Sequence, residues 1–402
     1  YDRNIIVKFK DTDVKIIKIG ELYDKHKDIK GLSTLSFDKN KKVVFKPILR
    51  VIRHKYHNKL LKIVTKYGST IVTPQHSVYS FDKKRGEICL VDAKILGKGD
   101  NLVSLTNPQV PTNHKSGEIF DLTKIDMGNY GKELMLYSDN LMFPAKYGKC
   151  PYCQKNRFLA SHISLKHLER KEVFQANSLF SWVGGKTAKT RKIPRYWVLD
   201  EDLAWLLGYY CAEGSATDVL TRTGRKCLLS FGCQDKATME KVKSILDYKT
   251  GTSTEIIENF DKRINKKMFY YRVQCMPIIA LFNYGFGAGK GSEFKKVPSF
   301  ILTSEETLKR AFVKGYLDGD GNSIKDQRYK THFIRFSTKS KELAIGLDFI
   351  IKSLNHGVQH FGKEIKHIAW QYRKDKPKIQ TLRLQSAKNS YENFCLAEIR
   401  SI

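Results

Sequence analysis

Several features are scarce in this sequence, and each shortage excludes a class of protein. It has no apolar stretch of about 18 residues, which a membrane-crossing helix needs, no signal-peptide pattern and no basic amphipathic helix of anchoring length. No membrane partner is expected, and a soluble, cytoplasmic protein follows. Acidic residues are also short: 41 Asp and Glu stand against 72 Lys and Arg, leaving a formal net charge of +31. A surface of that sign attracts a polyanion, with nucleic acid the default partner. Cysteines at framework spacings are lacking too, which argues against a disulfide scaffold. The eight are scattered, and only Cys150 and Cys153 have a spacing with chemical meaning.

What is present suits two or three globular domains: 402 residues, 41% of them hydrophobic. Residues 1–105 read as β-structure, because "NIIVKF", "VVFKPILRVI", "KLLKIVTK" and "STIVTPQHSVYSF" are strand-length runs rich in Val and Ile. Periodicity weakens over 106–145, where "TNPQVPTN" marks a linker, and 146–180 reads as a small inserted module.

From about residue 195 the chain repeats itself. "LLGYYCAEG" (206–214) is echoed by "VKGYLDGDG" (313–321), aligning Gly208 with Gly315, Ala212 with Gly319, Glu213 with Asp320 and Gly214 with Gly321. The echo continues downstream, with "LLSFGCQDK" before "MEKVKSIL" and "FIRFSTKSK" before "LAIGLDFIIKSL". Two homologous halves, about 195–290 and 295–385, are fused.

Positions i and i+4 share a helix face, so Gly208 with Ala212, and Gly315 with Gly319, give each motif helix a stripe of very small residues. Two such helices can pack backbone to backbone, bringing Glu213 beside Asp320, with each following glycine ending its helix in a left-handed conformation. A carboxylate at a helix C-terminus opposes the macrodipole and needs a reason to be there. Two of them together are relieved by a divalent cation, and that geometry suits metal-assisted hydrolysis of a phosphodiester.

These motifs resemble the paired LAGLIDADG, or dodecapeptide, motifs of homing endonucleases. "DEDLAWLLGYYCAEGSA" with "KKVPSFILTSEETLKRAFVKGYLDGDG" looks like the endonuclease domain of archaeal-type inteins, such as those of DNA polymerases. The resemblance covers 195–385 and implies a pseudo-twofold αββαββα domain whose two sheets form a basic saddle over a long, asymmetric double-stranded DNA site. It implies Glu213 and Asp320 as Mg²⁺-binding acids, and Lys295, or its neighbour Lys296, as an assisting lysine.

The N-terminal region resembles the Hint (hedgehog/intein) fold over most of residues 2–105, with 386–402 supplying its last strand. Thr73 and His76 match the T-x-x-H motif that strains and protonates the upstream splice junction, and a histidine of near-neutral pKa can donate to a departing amide nitrogen. The family begins with Cys or Ser and ends with His-Asn, whereas this chain starts "YDRNIIVKF" and stops "NFCLAEIRSI"; by itself it is expected not to splice. "IQTLRLQ" offers Thr381 where the family often has an acid.

Cys150, Cys153, His162 and His167 form C-x2-C-x8-H-x4-H, a donor set suited to structural, tetrahedral Zn²⁺, with "LASHISLKHLER" helical in pattern. Lys146, Lys149, Lys155, Arg157, Lys166, Arg170 and Lys171 suggest a DNA-contacting arm around it.

The expected fold class is α+β: an all-β Hint domain, the zinc-finger-like insert and the two-repeat endonuclease. The expected function is an intein-encoded endonuclease that makes a staggered double-strand break, acting as a monomer with an internal pseudo-dimer and joined in its precursor to a host extein. The rivals are a cleavage-inactive DNA- or RNA-binding protein, such as a maturase or regulator, and a splicing-only intein.

Overall fold

The computed structural model describes the chain except residues 1–3, 10–13, 27, 29, 39, 41, 54–55, 66–67, 83, 104–107, 133, 138–161, 165–177, 182–191, 223, 263–264, 327–330, 355–364, 375–377, 386–393 and 402. Two compact units emerge: Tyr1–Pro111 with Gly321–Ile402, and Thr112–Asp320. The boundary falls immediately after the second motif acid.

In the first unit, the Val- and Ile-rich runs form two sheets. One is four-stranded, in the order Val14–Lys18, Asn4–Lys8, Ser33–Phe37, Val43–Pro47. The other has six strands, and its third is the distant Phe394–Ser401, inserted between Leu61–Thr65 and Asp100–Val103 and antiparallel to both. Ile63, Ala93 and Leu96 form a core beneath this sheet, and Val7, Leu22 and Leu32 a second core. The region is not purely β: Ile19–His26 is a helix, held by buried Gly20 and Leu22.

The second unit contains an antiparallel sheet ordered Ser215–Thr221, Gly224–Cys233, Lys266–Val273, Ile256–Asp261. Alternation sorts its faces. Cys227, Leu229, Phe231, Tyr271 and Val273 are buried on the inner face. Helix Lys236–Thr250 buries Met239, Val242, Ile245 and Leu246 in the same core. Its ends are defined by Asp235, whose side chain accepts from the Thr238 N–H at 2.9 Å, and by Gly251 at φ 64.

The two repeats differ in strand order. The first half is antiparallel throughout, because its chain re-enters at the far edge strand and folds back inward. The second is ordered Asn322–Asp326, Thr331–Thr338, Ile365–Lys374, Lys378–Gln385, and its central pair is parallel. A parallel pair needs a crossover long enough to return the chain, and helix Lys341–Ser353 lies in that connection.

Residues 106–145 are not a bare linker. Ile119–Asp121 pairs with Tyr196–Val198, and Leu134–Tyr137 lies inside a four-stranded sheet between His162–Ser164 and Ser178–Ser181. Leu122 and Leu134 are fully buried, and Arg195 forms a 2.6 Å ion pair with Asp121. Strands of three or four residues carry too few alternations to register as periodicity. No helix among the described residues is long and apolar enough to cross a membrane.

Candidate active site

The first motif helix, Glu201–Glu213, is buried along nearly its whole length from Leu203 to Cys211, as a helix apolar on every face must be. Asp200 caps it, accepting from the Leu203 N–H at 2.8 Å. Lys249, itself buried, fixes that cap by ion-pairing with Asp200 and donating to the Val198 carbonyl at 2.8 Å.

The second motif helix, Glu306–Asp320, lies against the first with reciprocal glycine contacts. A Cβ added at Gly208 would sit 1.9 Å from the Phe312 carbonyl oxygen, and one at Gly315 would sit 1.9 Å from that of Trp205. Main chain therefore meets main chain at both crossings. Across the same interface the Trp205 indole N–H donates to Asp318 at 2.8 Å; within the second helix Lys314 pairs with Asp318, and within the first the Trp205 ring stacks on Tyr209 at 5.1 Å.

This packing converges at the helix C-termini. A Cβ on Gly319 would lie 2.5 Å from the Ala212 Cβ and 3.0 Å from the Glu213 Cγ, so the Glu213 stem runs directly against the residue preceding Asp320. Gly214 corrects one expectation: it is extended, at φ −76 and ψ 151, not left-handed. Its glycine character serves space instead, since a Cβ there would approach the Tyr210 ring at 2.4 Å and the Tyr210 Cα at 2.8 Å.

Lys295 is only 4% exposed. Its ammonium donates to the carbonyls of Tyr210 and Gly214 and lies 4.5 Å from the Tyr210 ring centre, covering the open end of the first motif helix. Neither motif helix carries a basic residue in its last turn, so this lysine supplies the charge that the first helix C-terminus wants. Burial lowers the Lys295 pKa, opposed by the nearby Cys211, Asp320 and Glu213 charges. Lys296 is exposed, and its N–H donates to the Ala288 carbonyl at 3.0 Å.

Glu213 keeps an accessible edge, yet desolvation raises its carboxyl pKa while the Lys295 charge pulls it down. Two acids of this kind fit a cation such as Mg²⁺, which is held by one or two carboxylates and takes its other ligands from phosphate and water. Among the described residues no group of three or more His, Cys, Asp or Glu is placed to form an all-protein metal cage.

Lys309, on the second motif helix, is 6% exposed, and burial depresses its pKa to about 8 despite Glu306 nearby. Its unfolded value is the ordinary 10.5, so between those values the unfolded chain holds the extra proton and this residue makes stability rise with pH. Lys309→Met is expected to stabilise the fold at pH 7 by up to about 3 kcal/mol. That gain should shrink as pH is raised from 8 towards 10.5; a pH-independent difference in melting temperature would contradict it.

Thr73 directly follows strand Gly68–Val72 and His76 directly precedes Ser77–Asp82. The intervening turn is closed by the His76 N–H donating to the Thr73 carbonyl at 3.0 Å, and the His76 carbonyl accepts from Ala93 at 2.9 Å. Val72, Leu61 and Ser401 share one cross-strand row, so Thr73 stands at the end of the sheet where strand Phe394–Ser401 finishes.

Of the Cys/His set, Cys150, Cys153 and His167 lie outside the described residues, as do Lys146, Lys149, Lys155, Arg157, Lys166, Arg170 and Lys171. His162 falls in the strand His162–Ser164, paired with Leu134–Tyr137, not in a helix; pairing to a neighbouring strand has overridden the local helical pattern. The Lys249–Asp200 anchor, the Trp205–Asp318 tie and the lysine cap escaped sequence reasoning. Each depends on a partner more than 40 residues away.

Residues 307–374 match the family described as "LAGLIDADG-like domain", and this span begins in the second motif helix. The curated relatives include the DNA-directed RNA polymerase subunit Rpo1C of Methanocaldococcus jannaschii, 26% identical over 88% of this chain and 35% of that protein. A DNA polymerase of Thermococcus litoralis is 23% identical over 85% of this chain and 23% of its own length, and a replication factor C small subunit of M. jannaschii is 24% identical over 84% and 15%. The chain thus spans about a third or less of these relatives, and one segment recurs inside proteins with different names. Similar solved structures are a transcription factor IIB mini-intein (29% identity, 27% of this chain and 70% of that one, TM-score 0.24) and the homing endonuclease I-DmoI in complex with DNA and Ca (13%, 47% and 84%, TM-score 0.31). The chain carries a LAGLIDADG-type domain.

Proposed function

We propose that this chain is a site-specific homing endonuclease that hydrolyses one phosphodiester in each strand of a long duplex site, leaving a staggered break. The observation that carries this reading is the convergence of Glu213 on the residue preceding Asp320, at the ends of helices locked together by Gly208 and Gly315. Glu213 and Asp320, one acid per half-site, would hold Mg²⁺, and the cation would supply Lewis acidity toward the scissile phosphates. The buried helix pair fixes the distance between the acids, which the stagger of the cut requires.

Lys295 acts as a positioning residue. Its charge opposes the rise that desolvation gives the Glu213 pKa, and its hydrogen bond to the Gly214 carbonyl holds the end of the first motif helix, while Lys296, being exposed, is free to meet phosphate. Lys295→Met is expected to move the acid limb of the cleavage pH profile upward, because the carboxyl loses the cation that lowers its pKa. A drop in rate with an unmoved pH profile would leave only a structural role. The formal charge of +31 supports DNA as substrate and predicts affinity that falls steeply with salt.

A splicing role for Thr73 and His76 is favoured by Thr73 standing level with the end of strand Phe394–Ser401 and by the turn hydrogen bond that holds His76 to Thr73. In a precursor carrying flanking extein segments and junction residues, His76→Ala is expected to slow upstream junction cleavage by roughly 10²- to 10⁴-fold; unchanged cleavage would remove His76 from the reaction. Cys150, Cys153, His162 and His167 are proposed as a structural zinc site, tested by elemental analysis for one zinc per chain. The alternative, a DNA- or RNA-binding protein without cleavage, predicts specific binding with no cut in any divalent metal.

A further inference from the structure

The outer face of the first-half sheet holds one arginine prepared for a particular task. Arg272 is exposed on strand Lys266–Val273, on the face opposite the buried Tyr271 and Val273. Its guanidinium lies over the Tyr270 ring, 4.7 Å from the ring centre. That ring lies over the main chain of Gly232 in the neighbouring strand: the two residues are cross-strand partners, and a Cβ on Gly232 would be 2.7 Å from two Tyr270 ring carbons. A glycine inside a strand usually weakens it, and here it makes room for a tyrosine that supports an arginine. Among the described residues no ion pair occupies Arg272. The exposed Asn259 and Lys226 share this face, as do Thr217 and Ser215.

Register sets the distance to the chemistry. Ser215, Ser230 and Arg272 form one cross-strand row, and Ser215 lies two residues after Glu213. Two strand spacings separate Arg272 from Ser215, about 10 Å. At about 3.4 Å per base pair, the arginine reaches a position within roughly three base pairs of the cut.

We infer that Arg272 is a specificity-determining residue that reads a guanine in the major groove next to the cleavage position, with Tyr270 and Gly232 as its positioning residues. The inference rests on the endonuclease reading above. The planar fork of arginine donates to guanine O6 and N7 together, a pairing that lysine cannot reproduce, and stacking on Tyr270 removes conformers that would have to be lost on binding. The fork can also grip a phosphate, so the lysine variant and the salt slope below tell the two contacts apart.

The test is selection of duplex DNA by the full chain from a pool with a randomised core of about 30 base pairs, repeated with Arg272→Ala, Arg272→Lys and Tyr270→Leu. Melting temperatures confirm that each variant folds. The wild type should return a consensus with guanine at one position beside the cut. Arg272→Ala and Arg272→Lys should lose that preference by roughly 5- to 150-fold while the other positions persist. Tyr270→Leu should weaken the preference at the same position only. An unchanged consensus in Arg272→Ala overturns the inference. So does uniform weakening in Arg272→Ala, with a salt slope reduced by about one, restored by Arg272→Lys, because that marks a phosphate contact. If the wild type itself selects no consensus, the endonuclease reading fails and this inference falls with it.

Discussion

Glu213→Gln and Asp320→Asn should each lower double-strand cleavage by roughly 10³-fold or more while leaving the melting temperature and DNA affinity near their wild-type values. Both substitutions keep side-chain shape and remove the negative charge, so the helix pair should assemble as before. What is lost is the charge that holds the cation and orients water and phosphate. Glu213 tests this most sharply: desolvation already raises its pKa, so removing its charge relieves the fold rather than burdening it. The readout is conversion of supercoiled plasmid carrying the selected site to linear form. Wild-type linearisation by either variant would remove that acid from the reaction.

Gly315→Ala is expected to have the largest effect on stability. One added carbon would sit 1.9 Å from the Trp205 carbonyl oxygen, and a main-chain atom cannot swing aside as a flexible side chain can. Overpacking of a close contact costs about 1–3 kcal/mol, and a backbone clash belongs at the upper end. For a unit of this size that is a fall of roughly 6–12 °C in melting temperature. The helices must separate to admit the methyl group, so cleavage should fall with stability. Gly208→Ala should behave alike, because it meets the Phe312 oxygen at the same distance. Gly131→Ala is the control: nothing lies within 4 Å of its added Cβ, and it should change stability little. Equal melting temperatures for Gly131→Ala and Gly315→Ala would mean that the helices do not meet in this way.

The glycine stripe was readable because its evidence is local and repeated. Spacing of i and i+4 defines a helix face, and the second copy of the motif marks the partner. The β-character of the N-terminal region was readable for a similar reason, since Val and Ile runs of strand length need no distant information. Gly214 shows where local reading fails. A glycine after a helix is usually there for its left-handed conformation, but here crowding by Tyr210 demands it, and that is visible only in three dimensions. Lys295 fails in the same way: its place before "VPSF" marks it as notable, whereas its burial over the Tyr210 and Gly214 carbonyls comes from a chain return of more than 80 residues. His162 shows tertiary pairing overriding a helical pattern, and the short strands within 106–145 show that weak periodicity is not absence of structure. The parallel central pair of the second repeat could not be read from a sequence echo, which reports common elements but not their order in a sheet.

On the proposed reading, the paired helix ends form a divalent-metal centre that cuts DNA. Its most direct test is the wild-type chain incubated with plasmid carrying the selected site, with Mg²⁺ added and then withdrawn by chelation. Linear product that appears with Mg²⁺, stops on chelation and carries staggered ends at one position is the predicted result. Specific binding to the same site with no cleavage in Mg²⁺ or Mn²⁺ would contradict it.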